Sequence, residues 1–185
     1  MNKTIALLVG PSGSGKTTVA DALSKKYGLQ QIYSYTTRPR RTTDEIGHVF
    51  LNEEEFDELK DYVAYTEFNG HRYCATAEQV EECDLYVVDV DGIQYFKAAY
   101  NGDKIPVVFY FDVPPAVLQQ RMIQRGDNKM EVLQRLSHDK AKFKNALSRL
   151  QILYDDVYVI DNVRGVRSTA AEIMNTLKEI QRREL

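Results

Sequence analysis

The sequence predicts an α/β fold in three layers, a central parallel sheet wrapped by helices. Short, continuous apolar runs at 5–9, 85–90 and 107–111 read as strands buried on both faces, as parallel strands are. Segments with helical spacing stand between them, and strands that alternate with helices build parallel sheets. A third observation fixes the centre. Residues 10–17, Gly-Pro-Ser-Gly-Ser-Gly-Lys-Thr, match G-x-x-x-x-G-K-[S/T], a phosphate-cradling loop, in the strand–loop–helix context that gives the pattern meaning.

A strand over 4–9 leads into that loop. Gly10, Gly13 and Gly15 allow backbone angles denied to residues with a Cβ, so main-chain N–H groups can close around phosphate. The helix beginning near Gly15 aims its unpaired N–H groups and positive dipole end at the anion. Lys16 can reach the β- and γ-phosphates, and the Thr17 hydroxyl can ligate Mg²⁺. This is a nucleoside triphosphate site. The helix ends at Tyr27-Gly28, where Gly28 suits a left-handed stop.

Residues 31–34 read as a second strand, and the polar, basic stretch 35–44 is excluded from the core. Asn52 opens a short helix with Glu55 as its reciprocal capping partner, and Thr76 with Gln79 opens another that runs to about Glu82. Between them, 63–68, Asn69-Gly70 and 71–74 read as a hairpin, Asn-Gly being a type I′ turn signal. The stretch from about 34 to 83 breaks the strand–helix rhythm and is read as an inserted mixed substructure.

The rhythm returns with the strand over 85–90, a helix over 93–100 and the strand over 107–111. Pro114-Pro115 starts a helix that runs through Arg125-Gly126. An amphipathic helix then spans about 129–150, with Leu133, Leu136, Phe143, Leu147 and Leu150 on one side. The last strand lies at 157–160, and Thr169 with Glu172 caps the final helix.

A chain of 185 residues fits one domain with a substantial core. Its net charge of −3 gives no general attraction to nucleic acid or to an anionic membrane, so anion binding must come from local basic clusters. The N-terminal apolar run is too short for a signal segment or a membrane span, which implies the cytoplasm. Cys74 and Cys83 have neither metal-site spacing nor a secreted-type framework.

At Ser34-Tyr35-Thr36-Thr37-Arg38, followed by Arg41, the sequence resembles the guanylate kinase family of nucleoside monophosphate kinases. The likeness continues through Asn52-Glu53-Glu54-Glu55-Phe56, Asn69-Gly70-His71-Arg72-Tyr73, Asp89-Val90-Asp91 and Pro114-Pro115. It ends with Arg121-Met122-Ile123-Gln124-Arg125-Gly126 and Arg135-Leu136, so it covers essentially the whole chain in order. The resemblance implies a P-loop NTPase architecture over 1–185 as a single domain. Its core would be 1–33 and 84–185, with an inserted NMP-binding mixed β subdomain at about 34–83 and an arginine lid at about 122–140.

The activity implied is transfer of the γ-phosphoryl of ATP to GMP or dGMP, with Mg²⁺, by a monomer or homodimer acting on small nucleotides. ATP would lie on Gly10, Ser12, Gly13, Ser14, Gly15, Lys16, Thr17 and Thr18. Arg38, Arg41 and Tyr73 would hold the acceptor phosphate, with Ser34, His48 and Asp91 also on the acceptor. Lys16, Arg38, Arg125 and Arg135 would be catalytic, and Thr17 and Asp89 would serve the metal. The residues support this physically. Phosphoryl transfer needs positioning and charge neutralisation more than covalent chemistry. Arginine forks relieve the repulsion between two phosphorylated substrates, and a closing lid excludes water.

The departures from the family fall where the acceptor base would be read. The guanine-reading carboxylate six positions before the hairpin turn is Ala64 here, and the nearby Glu67 points the other way along an alternating strand. The hydroxyl residue expected two after Tyr73 is Ala75, with Thr76 next to it, and His48 replaces an acceptor-holding tyrosine. A site without a buried acceptor for guanine's N–H groups loses discrimination between bases, so another (deoxy)nucleoside monophosphate stays open as acceptor. Other classes stay open too. Asp89-Val90-Asp91-Gly92 fits the D-x-x-G of a GTPase, although Asn128-Lys129-Met130-Glu131 misses N-K-x-D by one residue and its context. A silent binding module would have a degraded loop, whereas Lys16 and Thr17 are intact. A kinase with a non-nucleotide acceptor would leave Thr36-Thr37-Arg38 unexplained.

Overall fold

A computed structural model of the chain describes residues 3–40 and 42–183. In chain order the first elements are β1 (Thr4–Val9), α1 (Lys16–Tyr27), β2 (Gln31–Ile32), β3 (Tyr35–Thr36), β4 (Val49–Phe50) and α2 (Glu53–Asp57). They are followed by β5 (Thr66–Phe68), β6 (His71–Cys74), α3 (Ala77–Glu82), β7 (Leu85–Val87), α4 (Val90–Ala99) and β8 (Ile105–Phe111). The chain continues through α5 (Pro115–Gln124), α6 (Lys129–Lys142), α7 (Ala146–Leu153), β9 (Val157–Ile160) and α8 (Val166–Arg183).

The central sheet runs β2-β7-β1-β8-β9, and every pairing in it is parallel. All six residues of β1 are buried, because the sheet is covered on both faces. Ile5, Leu7 and Val9 enter one core with Ile93 and Phe96 of α4 and Leu150 of α7. Ala6 and Leu8, pointing the opposite way along the pleat, enter the other with Val19 and Leu23 of α1 and Ile173 and Leu177 of α8. These are the three layers expected. A smaller core of Val113, Leu118, Met122 and Val132 ties α5 to α6. The second sheet, β4-β3-β6-β5, is mixed, with β3 parallel to β4 and antiparallel to β6. Among the described residues no helix is long and apolar enough to cross a membrane.

Local signals decided several boundaries as expected. Asn52 with Glu55 and Thr76 with Gln79 both form complete capping boxes. Asn69 and Gly70 take φ of 50° and 74° in the hairpin turn, which pairs Phe68 with His71. Gly28 stops α1 in the left-handed conformation.

Other boundaries differ, each for a tertiary reason. The second strand ends at Ile32, and Tyr35-Thr36 leave to pair with β4 and β6 instead. Thr36 is fully buried there, against the expectation that its stretch is all surface, because its hydroxyl accepts from the Arg38 N–H at 3.1 Å. The hairpin ladder begins at Thr66 rather than Val63; Val63 and Ala64 meet Ala75 through single bonds of 2.9 and 3.2 Å. Strand β7 is only three residues long, since the Asp89 side chain accepts from the Gly92 N–H at 2.6 Å and starts α4 at Val90.

The long helix expected over 129–150 is two helices, broken at Asn145, which stands at φ 60°. The break frees Ala146 and Leu150 to join the central core while Val132 packs on α5. Leu133, expected on the apolar side, is 54% exposed. Thr169 is no cap either: α8 starts at Val166, and the buried Thr169 hydroxyl donates to Asn162 Oδ1 at 2.8 Å.

Phe109 sits at the centre of β8, fully buried and stacked on Tyr158 with ring centroids 5.8 Å apart. Phe109→Ala is expected to lose about 3–5 kcal/mol of stability in denaturant unfolding; a loss below about 1 kcal/mol would contradict the packing described.

Candidate active site

In open α/β sheets, ligands bind beyond the carboxyl ends of the strands, and there the loop of residues 10–15 turns from β1 into α1. The loop is crowded from behind. A Cβ on Gly10 would lie 2.7 Å from the Phe111 Cβ, and one on Gly15 would lie 2.5 Å from Asn162 Nδ2. Gly15 also stands at φ 92° as the residue preceding α1, a conformation that disfavours any side chain. Asn162 Nδ2 donates to the Ser14 carbonyl at 2.7 Å. Arg121 donates to the same carbonyl at 3.2 Å and to the Asn162 carbonyl at 2.6 Å. These bonds hook the loop to the chain after β9, and the Ser14 N–H turns back to the Pro11 carbonyl at 3.2 Å.

The loop borders a cleft of about 460 Å³. Ser12, Gly13, Gly15, Lys16, Thr17 and Thr18 line it together with Arg121, Arg125 and Arg135. Gly10 and Ser14, also expected at this site, serve it from beneath: the Lys16 ammonium donates to the Gly10 carbonyl at 2.6 Å and to Ser14 Oγ at 3.3 Å. A third bond goes to the Pro11 carbonyl at 2.9 Å. Burial pulls the Lys16 pKa down to about 8, against the opposing pull of Asp139 and Asp89. Arg125 pairs with Asp127, and Arg135 lies 3.8 Å from the same carboxylate.

A second pocket, of about 220 Å³, lies against the mixed sheet. Ala64, Thr66 and Phe68 line it at alternate positions, so Glu67 points away, and it accepts from the Tyr65 hydroxyl. Ser34, His48 and Tyr73 stand on the same pocket, with Ser34 Oγ 2.9 Å from His48 Nδ1. Tyr86 of β7 and Asp89, which caps α4, also line it. Arg38 stands nearby over the Phe50 ring and bonds Glu45 at 2.7 and 3.2 Å. Glu45 first, and Tyr73 further, raise its pKa above the ordinary arginine value.

Thr76 and Asp91 do not stand on the wall of this pocket. The Thr76 hydroxyl caps α3, and Asp91 lies 2.8 Å from the Lys142 ammonium. Arg41 lies outside the described residues.

Helix α6 connects the two pockets. The His138 ring meets Phe68 edge-on at 6.0 Å. One residue on, Asp139 Oδ2 accepts from the Ser12 N–H at 2.7 Å. Lys142 then bonds Asp89 at 2.9 Å and Asp91 at 2.8 Å. Sequence reasoning missed Asp139 and Lys142 as site residues, because on a lysine-rich amphipathic helix they look like solvated charges. It placed Arg121 in a family-like segment and gave it no role. Asn162 was missed although a signal existed, a polar residue just past the end of the last strand.

Comparison with known proteins agrees with this geometry. The family model described as guanylate kinase matches residues 2–179. The chain is 31% identical to the guanylate kinase of Listeria monocytogenes, over 96% of this chain and 93% of that protein. It is 29% identical to that of Thermotoga maritima, over 98% and 95%. In fold it is similar to the crystal structure of guanylate kinase from Anaplasma phagocytophilum, with a TM-score of 0.61 at 20% identity, covering 96% of this chain and 86% of that one. A gluconokinase from Sinorhizobium meliloti gives 0.59 at 16%, covering 98% and 95%. The match runs through the loop, the second pocket and α6 alike, and the chain belongs to the guanylate kinase family.

Proposed function

We propose that the chain transfers the γ-phosphoryl of ATP to a nucleoside monophosphate, with GMP and dGMP as the acceptors. The observation that carries this is the pairing of two sites: a donor-rich phosphate loop and a second, partly apolar pocket, joined by one helix that touches both. Residues 34–83 act as the acceptor-binding insertion and about 122–140 as the lid. Lys16 and the loop amides hold the ATP phosphates. Arg38, Arg41, Ser34, His48 and Tyr73 hold the acceptor, and Arg125 and Arg135 close over the group in transit. Arginines on both sides offset the repulsion between two anionic substrates.

The residues fit Mg²⁺ in the way nucleotide enzymes hold it, with few protein ligands and several phosphate oxygens. Among the described residues no cluster of three or more His, Cys, Asp or Glu stands ready for a metal alone, and Thr17 lies on the donor cleft. Thr17 would hold the ion with the nucleotide, and Asp89 would join through water. When bound, the ion would supply positive charge that offsets the charge of the phosphates.

One observation favours a second reading of the acceptor base. The pocket wall carries Ala64, and its carboxylate Asp89 is committed to Gly92 N–H and Lys142. A guanine there would lack the charged acceptor that its N–H groups need, which lowers selectivity against other bases. The deciding experiment is diphosphate formation from ATP and Mg²⁺ with a panel of ribo- and deoxynucleoside monophosphates. Preference for GMP and dGMP supports the first reading. Preference for another base supports the second, and no turnover with any of them overturns the kinase assignment.

Lys16→Ala is expected to lower kcat/KM by about 10²–10³-fold, a central electrostatic donor having gone. Turnover near that of the unsubstituted enzyme would contradict the mechanism. Lys16 also predicts a proton signature. With its pKa near 8 in the free protein, the ammonium is increasingly neutral as pH rises above that value, and bound phosphate restores its charge. ATP binding should therefore take up protons at pH 8.5–9, by about half a proton or more, and weaken as pH rises through this range. Calorimetry in buffers of different ionisation enthalpy reads this directly, and buffer-independent heats would contradict it.

A further inference from the structure

Ser12 N–H belongs to the phosphate loop and lies on the donor cleft, yet its partner is a carboxylate from a distant helix, Asp139 Oδ2 at 2.7 Å. The Asp139 side chain is 13% exposed, and its other oxygen lies 3.8 Å from His138 Nδ1. Its neighbours on α6 give its position in the site. His138 rests on Phe68 and Lys142 on Asp89, both on the wall of the second pocket. Asp139 therefore stands at the side of the phosphate loop that faces that pocket. A phosphoryl group passing from one site to the other must occupy the same place.

Carboxylate and phosphate are alike here. Both are anions whose oxygens accept from backbone N–H groups in short, charge-assisted bonds. They cannot share one amide, and their like charges repel at close range. From this we infer that Asp139 occupies the seat of the transferable phosphoryl in the empty protein and makes the donor site discriminate ATP from ADP. The inference rests on the donor-site reading above. ATP has to displace the carboxylate, and α6 shifts with it. ADP lacks the terminal group, so Asp139 keeps its bond to Ser12 when ADP is bound. The pull that Asp139 exerts on the charge of Lys16 belongs to the same arrangement: a resident anion supplies, in the empty cleft, part of the field that the phosphate supplies in the filled one.

The contact thus sets a cost on triphosphate binding that the diphosphate does not bear. A ligand whose binding-competent state is only partly populated binds more weakly by that fraction. The test is calorimetric titration of ATP and of ADP, without acceptor, into the unsubstituted protein, Asp139→Asn and Asp139→Ala. Circular dichroism melting of each variant confirms that it is folded.

Both variants should bind ATP about tenfold more tightly than the unsubstituted protein while ADP changes by less than about twofold. Equal tightening for the two nucleotides would mean a general charge effect and would overturn the inference. Unchanged or weaker ATP binding would overturn it as well. Should the unsubstituted protein bind neither nucleotide, the donor-site reading itself fails, an outcome distinct from the other two.

Discussion

The arrangement depends on a loop of backbone donors held open at the end of a strand that cannot move. Left alone, such a loop would turn its N–H groups inward to its own carbonyls. Here the Ser14 carbonyl is already taken from behind by Asn162 and Arg121, and the Gly10 and Pro11 carbonyls by Lys16. One N–H still turns inward, that of Ser14 to the Pro11 carbonyl at 3.2 Å, while the Ser12 N–H points out of the loop to Asp139. Strand β1 gives this loop its rigidity, being buried along its whole length in the middle of the sheet. Sequence sets the loop's freedom, packing removes it, and anion binding follows from what remains.

Electrostatics then has to reconcile a basic cleft with a chain of net charge −3. The solution is local pairing. Glu45 sits on Arg38, Asp127 on Arg125, and Asp89 and Asp91 on Lys142. For Arg38 and Lys142, which are largely buried, the pairing keeps a desolvated cation from standing alone, the costly alternative; Arg125 is more exposed. Lys16 and Arg121 are exceptions: among the described residues their hydrogen bonds go to neutral oxygens, and the lowered pKa of Lys16 records the cost of holding an ammonium under a loop that awaits phosphate. The cleft is built for charges that arrive with the substrates.

What could be read from the sequence was what local chemistry decides. The loop at 10–17, the two capping boxes, the Asn-Gly turn and the buried parallel strands each follow from a few neighbouring residues. The inward alternation of Ala64, Thr66 and Phe68 follows from strand geometry alone. What could not be read depends on partners far along the chain. Asn145 breaks a helix that amphipathic spacing continues, because α6 and α7 serve different cores. Thr169 looks like a cap and is a buried donor to Asn162. Asp139 lies 127 positions from Ser12, and no window of sequence joins the two. The resemblance to a family supplied the roles of Arg125 and Arg135, while nothing in it pointed to the carboxylate of α6.

The break at Asn145 has a consequence for how the molecule breathes. Helix α6 lies between two left-handed backbone positions, Gly126 at φ 93° and Asn145 at φ 60°, and Val132 is its one fully buried residue. Little apolar area anchors it: Leu136 packs partly buried beside Val132, His138 meets the Phe68 ring, and Asp139 and Lys142 add polar ties. Regions of that kind open at free energies well below global unfolding. Amide hydrogens along α6 would then exchange through a local excursion, while those of β1 and β8 wait for the whole chain to come apart.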